Sequence, residues 1–366
     1  MTSIRVAIAG VGNCASALVQ GVAFYGGSSQ APDDGSLPAG LMHARIGEWG
    51  VNDITFSAAF DVDARKVGRP LEEAVFAPPN CTPVFQASLP GSGVVVEMGP
   101  VLDGVATHMA DHAEARAFRV AACPSVDVAQ RLRETKTDVL VCYLPVGAEQ
   151  AVRAYAEACL EARVAMVNCM PVFIASDPSW AARFEAAGVP IVGDDIKSQI
   201  GATMLHRALA RMFTERGVKP LRTYQLNTGG NTDFLNMLDR GRLQSKKRSK
   251  TAAVQSQLDV PLAPDQVHIG PSDYVAWQGD NKVAFIRLEG LGFGNQPIEI
   301  EVRLSVIDSP NSAGVVIDAL RCAALARQRG IGGALLGPSA WYMKHPPRQM
   351  RDAEAQEATE AFITSQ

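Results

Sequence analysis

Residues Arg5–Gly21, "RVAIAGVGNCASALVQG", decide the fold, because a short apolar run leads directly into a glycine turn and then a helical pattern. Within this stretch, "GVGNCA" at residues 10–15 fits the G-x-G-x-x-G/A pattern, which is fairly specific in a strand–turn–helix context. The first glycine would make the turn, the second would let a pyrophosphate approach the backbone, and alanine would permit close helix–strand packing. The helix N-terminus would offer unpaired N–H groups to phosphate. The pattern predicts cofactor contacts from Gly10, Gly12, Asn13, Cys14 and Ala15.

An acidic residue is expected after the second strand, where it would bind the ribose hydroxyl groups of a dinucleotide. Asp61 follows the strand predicted over 54–60, although it lies about 45 residues beyond the glycine turn instead of ~20. A stretch over 26–50 rich in Gly, Ser, Pro and Asp, predicted to be a surface insertion, accounts for the difference. Asp61 favours NAD over NADP, and the neighbouring Arg65 and Lys66 weaken that preference.

The composition predicts a globular protein with two domains, since 366 residues are too many for one ordinary core and 47% of them are hydrophobic. A net charge of −4 favours neither nucleic acid nor an anionic membrane as a partner. Seven cysteines without a CxxC pair are typical of a reducing compartment. Neither a leader pattern nor an apolar run of about 18 residues is found, so we expect no membrane span and a cytoplasmic location.

The order of the predicted elements indicates an α/β protein with a second domain. Strand and helix patterns alternate up to about residue 200, which is typical of a parallel sheet covered by helices on both faces. Strand-like stretches then dominate until a long helix pattern begins at residue 312, and a polar tail is predicted from 352. We therefore expect an α/β domain up to about residue 200, followed by a second, α+β domain over residues 201–308.

Lysines and polar residues cluster in three segments and one late motif. Lys246 and Lys250 would lie on one helix face, where two ammonium groups lower each other's pKa and bind anions. A solvated basic run or a nucleic-acid patch is the alternative, and the acidic balance with no interleaved aromatic residues argues against the latter. No metal-ligand cluster is legible. Several lysines with no obvious catalytic histidine suggest alcohol oxidation, with lysines binding a phosphate and a developing enolate.

Motifs along residues 4–345 resemble those of the bacterial myo-inositol-1-phosphate synthases. The matching stretches include "IAGVGNCASALVQG", "VPIVGDDIKSQIGAT", "QLNTGGNTDFLNML", "HIGPSDYVAW" and "DSPNSAGVVIDALR". The resemblance implies an NAD-binding Rossmann domain, formed by residues 1–200 and 309–366. A catalytic α+β domain over residues 201–308 would interrupt it and form a homotetramer. It also implies a redox-neutral cycle on a hexose 6-phosphate: oxidation at C5, enolisation at C6, intramolecular aldol closure onto C1, and re-reduction.

The resemblance also implies roles for particular residues. Lysines that bind the phosphate and the oxyanions match Lys246, Lys250, Lys282 and Lys344. The substrate loop matches Asn227, Thr228, Gly230, Asn231 and Asp233, and Asp280 belongs to the D-x-K pattern. The polar turn near the nicotinamide matches Asp195 and Lys197, and the stretch that returns beside the cofactor matches Asp308 and Ser309.

Several residues depart from the family's pattern in segments expected to line the substrate: Thr228, Thr232, Arg248, Cys169 and Met170. Few residues are needed to alter specificity. A paralogue could therefore cyclise fructose 6-phosphate onto its C2 ketone, giving a cyclopentane phosphate for carbocyclic nucleoside synthesis. A plain NAD-dependent phosphosugar dehydrogenase and a non-catalytic dinucleotide sensor are the remaining alternatives.

Overall fold

The computed structural model describes residues 3–27 and 37–365, with the backbone alone for residues 271 and 272. The chain begins with alternating strands and helices: β1 Ile4–Ala9, α1 Asn13–Gly26, β2 Ile54–Asp61, α2 Leu71–Ala74, β3 Val96–Met98, α3 Val128–Glu134, β4 Val139–Cys142, α4 Glu149–Ala162, β5 Ala165–Asn168, α5 Pro178–Ala186 and β6 Pro190–Val192. The middle of the chain forms α6 Ala202–Glu215, β7 Lys219–Gly229, α7 Thr232–Asn236, α8 Gln244–Gln255, β8 Val267–Tyr274, β9 Asn281–Leu291 and β10 Pro297–Ile307. It ends with α9 Pro310–Gln328, β11 Gly333–Ala334, α10 Leu336–Tyr342 and α11 Asp352–Thr364.

The first sheet has seven parallel strands in the order β3-β2-β1-β4-β5-β6-β11. Alternate side chains of β1, β4 and β5 enter two different apolar clusters, one shared with α1 and α9 and the other with α3, α4 and α5. Because these strands are buried on both faces, their sequences are almost continuously apolar. This agrees with the parallel sheet predicted from the alternating strand and helix patterns. Because the strand order reverses between β1 and β4, a crevice for a ligand is expected at their carboxyl ends.

The second sheet has four strands in the order β10-β9-β7-β8, of which only β7 and β8 run parallel. Helices α6 and α8 cover one face, where Phe213, Val254, Ile286 and Leu288 form the core. The predicted α/β class, a Rossmann sheet with a second α+β unit, is confirmed. The exact domain boundaries at 200/201 and 308/309 stay a prediction.

Two predicted surface segments differ from the expectation. Of the insertion predicted over 26–50, residues 28–36 lie outside the described residues, while Ile46 and Trp49 are buried. Buried Arg321 on α9 donates hydrogen bonds to main-chain carbonyls of this segment. The polar tail predicted from residue 352 is the helix α11, which packs on α10 through buried Ala355. Within the described ranges, none of the helices is long and apolar enough to span a membrane.

Candidate active site

A cavity lies at the carboxyl ends of β1, β4 and β5, and the second sheet with α6 and α8 closes it from the other side. It therefore occupies the crevice expected where the strand order reverses. Strand ends, the starts of α1 and α6, and one face of α8 position most of the side chains that line it. Three features line the cavity: a glycine turn, a group of lysines and the uncapped N-terminus of a helix.

The glycine turn has the geometry that a dinucleotide requires. Gly10 has φ +92°, and a Cβ there would lie 2.7 Å from the Tyr143 carbonyl oxygen, so only glycine fits without strain. A Cβ on Gly12 would meet nothing within 4 Å, which leaves open space above the turn. Helix α1 begins directly afterwards without a side-chain cap. Its first N–H groups are thus available to a phosphate, and the residues present fit a bound NAD.

Asp61 lies beside this turn, as predicted, and also braces it. Its carboxylate accepts hydrogen bonds from the backbone N–H of Val11 at 2.7 Å and from the two residues that follow it. A carboxylate can accept about four hydrogen bonds, so it retains capacity for a ribose hydroxyl. Arg65 pairs with Asp63, and buried Lys66 donates to the Val11 carbonyl and to Asn80. Because both cations already have partners, neither is available to bind the 2′-phosphate of NADP. They therefore do not weaken the preference for NAD that Asp61 indicates.

The remaining predicted residues of the turn are placed as follows. Asn13 lines the cavity, but its side-chain oxygen accepts from the N–H groups of Cys81 and Thr82, which fixes the loop above α1. Cys14 also lines the cavity, and burial raises the pKa of its thiol to about 12, so it stays neutral. Ala15 is fully buried under the helix, as close helix–strand packing requires.

All four predicted lysines line the cavity, and three of them are ion-paired. Lys246 lies 2.9 Å from Asp233, Lys282 lies 3.1 Å from Asp308, and Lys344 lies 3.0 Å from Asp195. Burial raises the carboxyl pKa of Asp195 and Asp308, but the neighbouring ammonium groups outweigh it and lower both pKa values below the usual range. Burial alone would lower the pKa of Lys246, but the nearby carboxylates raise it above its usual value.

Lys250 is the exception among the lysines. It is 6% exposed and has no hydrogen-bonded carboxylate within the part of the chain that the structure describes. Burial lowers the pKa of its ammonium well below the usual range, and the other three ammonium groups lower it further. A buried amine with this surrounding is a candidate general base.

Asp195 joins the two segments that carry lysines. One carboxylate oxygen accepts from Lys344 and the other accepts from the Ser249 hydroxyl on α8 at 2.6 Å. Its backbone has φ +64°, a left-handed conformation that is uncommon for a residue with a side chain. The preceding Asp194 points away from the cavity and accepts hydrogen bonds from the turn at 174–176, with burial raising its pKa to about 6.

The N-terminus of α6 also faces the cavity. Gly201 stands at its N-cap without a side-chain hydrogen bond, and Ser198 and Thr203 line the cavity beside it. Unpaired N–H groups, two hydroxyls and nearby ammonium groups are the elements of a phosphate site. Sequence reasoning assigned no role to Thr203 or to Gln225, which lines the cavity from β7. A signal existed for both, because Thr203 ends the stretch "VPIVGDDIKSQIGAT" and Gln225 begins "QLNTGGNTDFLNML", two of the stretches that resemble the family.

Some predicted residues brace the cavity from behind. Asp280 is buried and accepts hydrogen bonds from Asn231 at 2.9 Å and from Ser309 at 2.8 Å, while Asn231, Asp233, Asp308 and Ser309 line the cavity themselves. Asn227 is buried on the cavity side of β7 and contacts Gln225. Cys169, Met170 and Thr232, three of the departures from the family's pattern, also line the cavity.

Four predicted residues lie elsewhere. Lys197 is buried, but its ammonium donates to the Ala340 carbonyl at 2.7 Å and lies outside the cavity, so its role is structural. Thr228 follows inward-facing Asn227 on β7 and so points to the opposite face of the sheet. A Cβ on Gly230 would lie 2.4 Å from the Val275 carbonyl, so its close approach is to its own chain. Arg248 is exposed and stacks over the Phe173 ring.

No group of three or more His, Cys, Asp or Glu side chains that could hold a metal occurs among the described residues. A Rossmann sheet, a dinucleotide-type glycine turn and a cavity lined by four lysines are the features of an α/β enzyme whose site is suited to a dinucleotide and an anionic substrate. Residues 201–309 match the family model described as myo-inositol-1-phosphate synthase. The chain belongs to the myo-inositol-1-phosphate synthase family.

Relatives named inositol-3-phosphate synthase align with nearly the whole chain. The inositol-3-phosphate synthase of Mycolicibacterium smegmatis is 55% identical over 364 residues, which are 98% of each chain. The inositol-3-phosphate synthase of Corynebacterium glutamicum is 54% identical over 99% of this chain and 98% of its own. Among solved structures, the protein described as Ari2 superposes with a TM-score of 0.77 at 39% identity, covering 99% of this chain and 100% of that one.

Proposed function

We propose that the protein is an isomerase that converts D-glucose 6-phosphate to 1D-myo-inositol 3-phosphate. One observation carries this proposal: the cavity that holds the glycine turn also holds four lysines. Three of them are ion-paired, whereas the amine of Lys250 has no carboxylate partner among the described residues and has a lowered pKa. The 54–55% identity to proteins named inositol-3-phosphate synthase supports it over nearly the full length.

The cofactor is proposed to be NAD. Residues Gly10 and Gly12, the start of α1 and Asp61 would hold it, with Asp308 and Ser309 on the facing side. When bound, NAD supplies a hydride acceptor for the C5 alcohol and returns the hydride at the end, so the overall reaction is redox-neutral.

The phosphate of the substrate is proposed to bind at the N-terminus of α6. Ser198 and Thr203 can donate hydrogen bonds there, together with backbone N–H groups of the first helical turn. Anchoring the phosphate fixes the position of the reacting carbons, which lowers the entropic part of the barrier.

Lys250 is proposed to take the proton from C6 once C5 is a ketone, because burial and the three neighbouring ammonium groups lower the pKa of its amine and so favour the neutral, basic form. The charged lysines Lys246, Lys282 and Lys344 would stabilise the enolate oxygen and the oxygen that becomes an alkoxide in the aldol step. Their carboxylate partners hold each ammonium group in place before the charge develops.

The fructose 6-phosphate alternative is not favoured. Two of the departures on which it was based, Thr228 and Arg248, lie outside the cavity. Two relatives at 54–55% identity carry the inositol-3-phosphate synthase name.

The test incubates the purified protein with NAD⁺ below stoichiometry and either glucose 6-phosphate or fructose 6-phosphate. Phosphorus and carbon NMR follow the products, and absorbance follows NADH. We expect inositol phosphate from glucose 6-phosphate without NADH build-up. Stoichiometric NADH without ring closure would leave a dehydrogenase, and no turnover would leave a sensor. Lys250→Met should abolish turnover, while Lys247→Met, which removes an exposed lysine from the same helix, should retain it.

The protein is further proposed to be a cytoplasmic homotetramer. The uncovered face of the second sheet carries the apolar side chains of Leu226, Phe285 and Ile307, each more than 40% exposed. Such a face fits a second copy of the chain. Light scattering should report a tetramer that Phe285→Glu dissociates, and a monomeric wild-type protein would contradict this.

A further inference from the structure

The start of α8 is fastened to a loop of the first sheet at one main-chain carbonyl. Arg242 lies in the helical turn Arg240–Leu243, which leads directly into α8. Arg242 Nε donates a hydrogen bond to the Val146 carbonyl oxygen at 3.1 Å, and Asn236 Nδ2, at the end of α7, donates to the same oxygen at 2.8 Å. Donors from both sides of the turn at 237–241 therefore meet on one acceptor, which belongs to the loop after β4.

The other end of the Arg242 guanidinium reaches a second loop. Its Nη2 donates to the Asp103 carbonyl oxygen at 2.8 Å. The Asp103 carboxylate accepts hydrogen bonds from the backbone N–H groups of Gln150 and Ala151, so it holds the first turn of α4. One guanidinium thus joins the loops that follow β3 and β4 to the helix that carries two of the cavity lysines.

Gly147 shows how closely this contact is packed. It has φ +85°, and a Cβ there would lie 2.5 Å from Arg242 Cβ and 2.8 Å from Arg242 Nε. Both distances are too short for a real Cβ, so the Arg242 side chain requires a glycine beside it, as the backbone conformation also does.

Two other hydrogen bonds hold α8 on its later turns. The Ser249 hydroxyl donates to the Asp195 carboxylate at 2.6 Å, and Arg207 Nη1 donates to the Ala253 carbonyl oxygen at 2.6 Å. Arg242 adds an attachment before the first turn of the helix, so α8 is held at its beginning as well as further along.

The attachment at Arg242 bears on the two lysines of α8. Lys246 and Lys250 follow it by four and eight residues, and both line the cavity. Val146 lines the same cavity, in the crevice where the strand order reverses and where the glycine turn would hold a dinucleotide. A helix is stiff over this length, since each N–H is bonded to the carbonyl four residues earlier. A shift at Arg242 is therefore passed on to both amines.

We propose that Arg242 is a positioning residue that fixes the side chains of Lys246 and Lys250 at a set distance from the cofactor crevice. It acts through α8 and does not itself line the cavity. Its effect on the two lysines is independent of the reaction, whereas its effect on turnover rests on the proposed function.

The first experiment measures the lysines directly in the full-length protein. Cyanate carbamylates only the neutral form of an amine, so the pH dependence of labelling, followed by peptide mass spectrometry, reports the pKa of each lysine. In the wild-type protein Lys250 should react at a lower pH than an ordinary lysine. Arg242→Met removes both hydrogen bonds. We expect water to reach the start of α8 and the pKa of Lys250 to rise towards its usual value.

The control variants separate positioning from general damage. Arg240→Met removes the neighbouring, exposed guanidinium, which pairs with exposed Asp273, and should leave Lys250 labelling unchanged. Gly147→Ala keeps Arg242 but crowds its side chain, so it should shift Lys250 labelling in the same direction as Arg242→Met. None of these variants alters the charged groups that face Lys250, which belong to Lys246, Lys282, Lys344 and Asp195.

The second experiment measures turnover of glucose 6-phosphate against pH. Losing the hydrogen bonds of a charged group should lower kcat/KM about 10- to 100-fold at pH 7 in Arg242→Met. The acidic limb of its pH profile should move to higher pH, as the labelling does. Arg242→Lys keeps the charge and can reach one carbonyl, so it should recover part of the loss.

Two outcomes decide between the proposals. Wild-type labelling of Lys250 in both Arg242→Met and Gly147→Ala would overturn the positioning role. A wild-type protein that does not turn over glucose 6-phosphate would instead contradict the proposed function and leave the labelling result intact.

Discussion

Removing the charge of Asp195 tests how the cavity holds its lysines. The Asp195 carboxylate lies 3.0 Å from the Lys344 ammonium, and both side chains are largely buried, at 5% and 15% exposure. At an effective dielectric constant of about 20, two unit charges at this separation attract by roughly 5 kcal/mol before desolvation is counted. Net values for hydrogen bonds to charged groups are about 1.5–3 kcal/mol. Asp195→Asn should therefore lower kcat/KM by about 10- to 150-fold.

A double-mutant cycle separates this effect from general damage. In a Lys344→Met background the ion pair with Asp195 is already absent. The Asp195→Asn change should then lower kcat/KM by only a few-fold. Ser249→Ala removes a hydrogen bond from a neutral hydroxyl to the same carboxylate, not an ion pair, and should cost about 1.5 kcal/mol, the lower end of the range for bonds to charged groups. A change within threefold of wild type for Asp195→Asn, or a full effect in the Lys344→Met background, would refute the reasoning.

Three further outcomes are expected. Gly10→Ala should weaken NADH binding, measured by fluorescence, by tenfold or more because its Cβ meets the Tyr143 carbonyl; Gly68→Ala, at φ +85° with open space, controls for backbone strain alone and should leave binding near wild type. Arg207→Met should lower the free energy of unfolding in urea by about 3 kcal/mol or more, since it leaves the half-buried Asp352 carboxylate and two carbonyls without their hydrogen-bond donor; a loss below 1 kcal/mol would contradict this. Both ring nitrogens of His43 contact carboxylates, and these raise its pKa, so its stabilisation is full below about pH 6.5 and should fall as pH rises through the folded-state pKa. The wild-type advantage over His43→Gln in urea should therefore shrink between pH 6 and 9, and a constant advantage would argue against a charged ring.

The sequence was most informative where structure depends on neighbouring residues. The glycine turn needs only six consecutive residues, and its strand and helix flank it directly. The spacing of Lys246 and Lys250 by four residues was enough to bring both to the cavity side of one helix. Family resemblance, confirmed by the comparisons, supplied the interruption of the Rossmann domain, which no local pattern encodes.

Residues whose role depends on distant partners could not be predicted. Lys197 follows Asp195 by two positions, yet Asp195 enters the cavity while Lys197 is bound by the carbonyl of Ala340, far along the chain. Gly230 belongs to the stretch that matches the family's substrate loop, but it instead accommodates the backbone of Val275.

The position of α9 has a consequence for synthesis of the protein on the ribosome. This helix buries 15 of its 19 residues and packs against β4, β5 and β6, all of which precede it by more than a hundred residues. At about 5–20 residues per second, the nascent sheet waits on the order of ten seconds for the helix that covers one of its faces. The second sheet is made during that interval. Translation order therefore leaves an apolar surface uncovered until late, and a chain released before residue 328 lacks both this cover and the segment that carries Lys344.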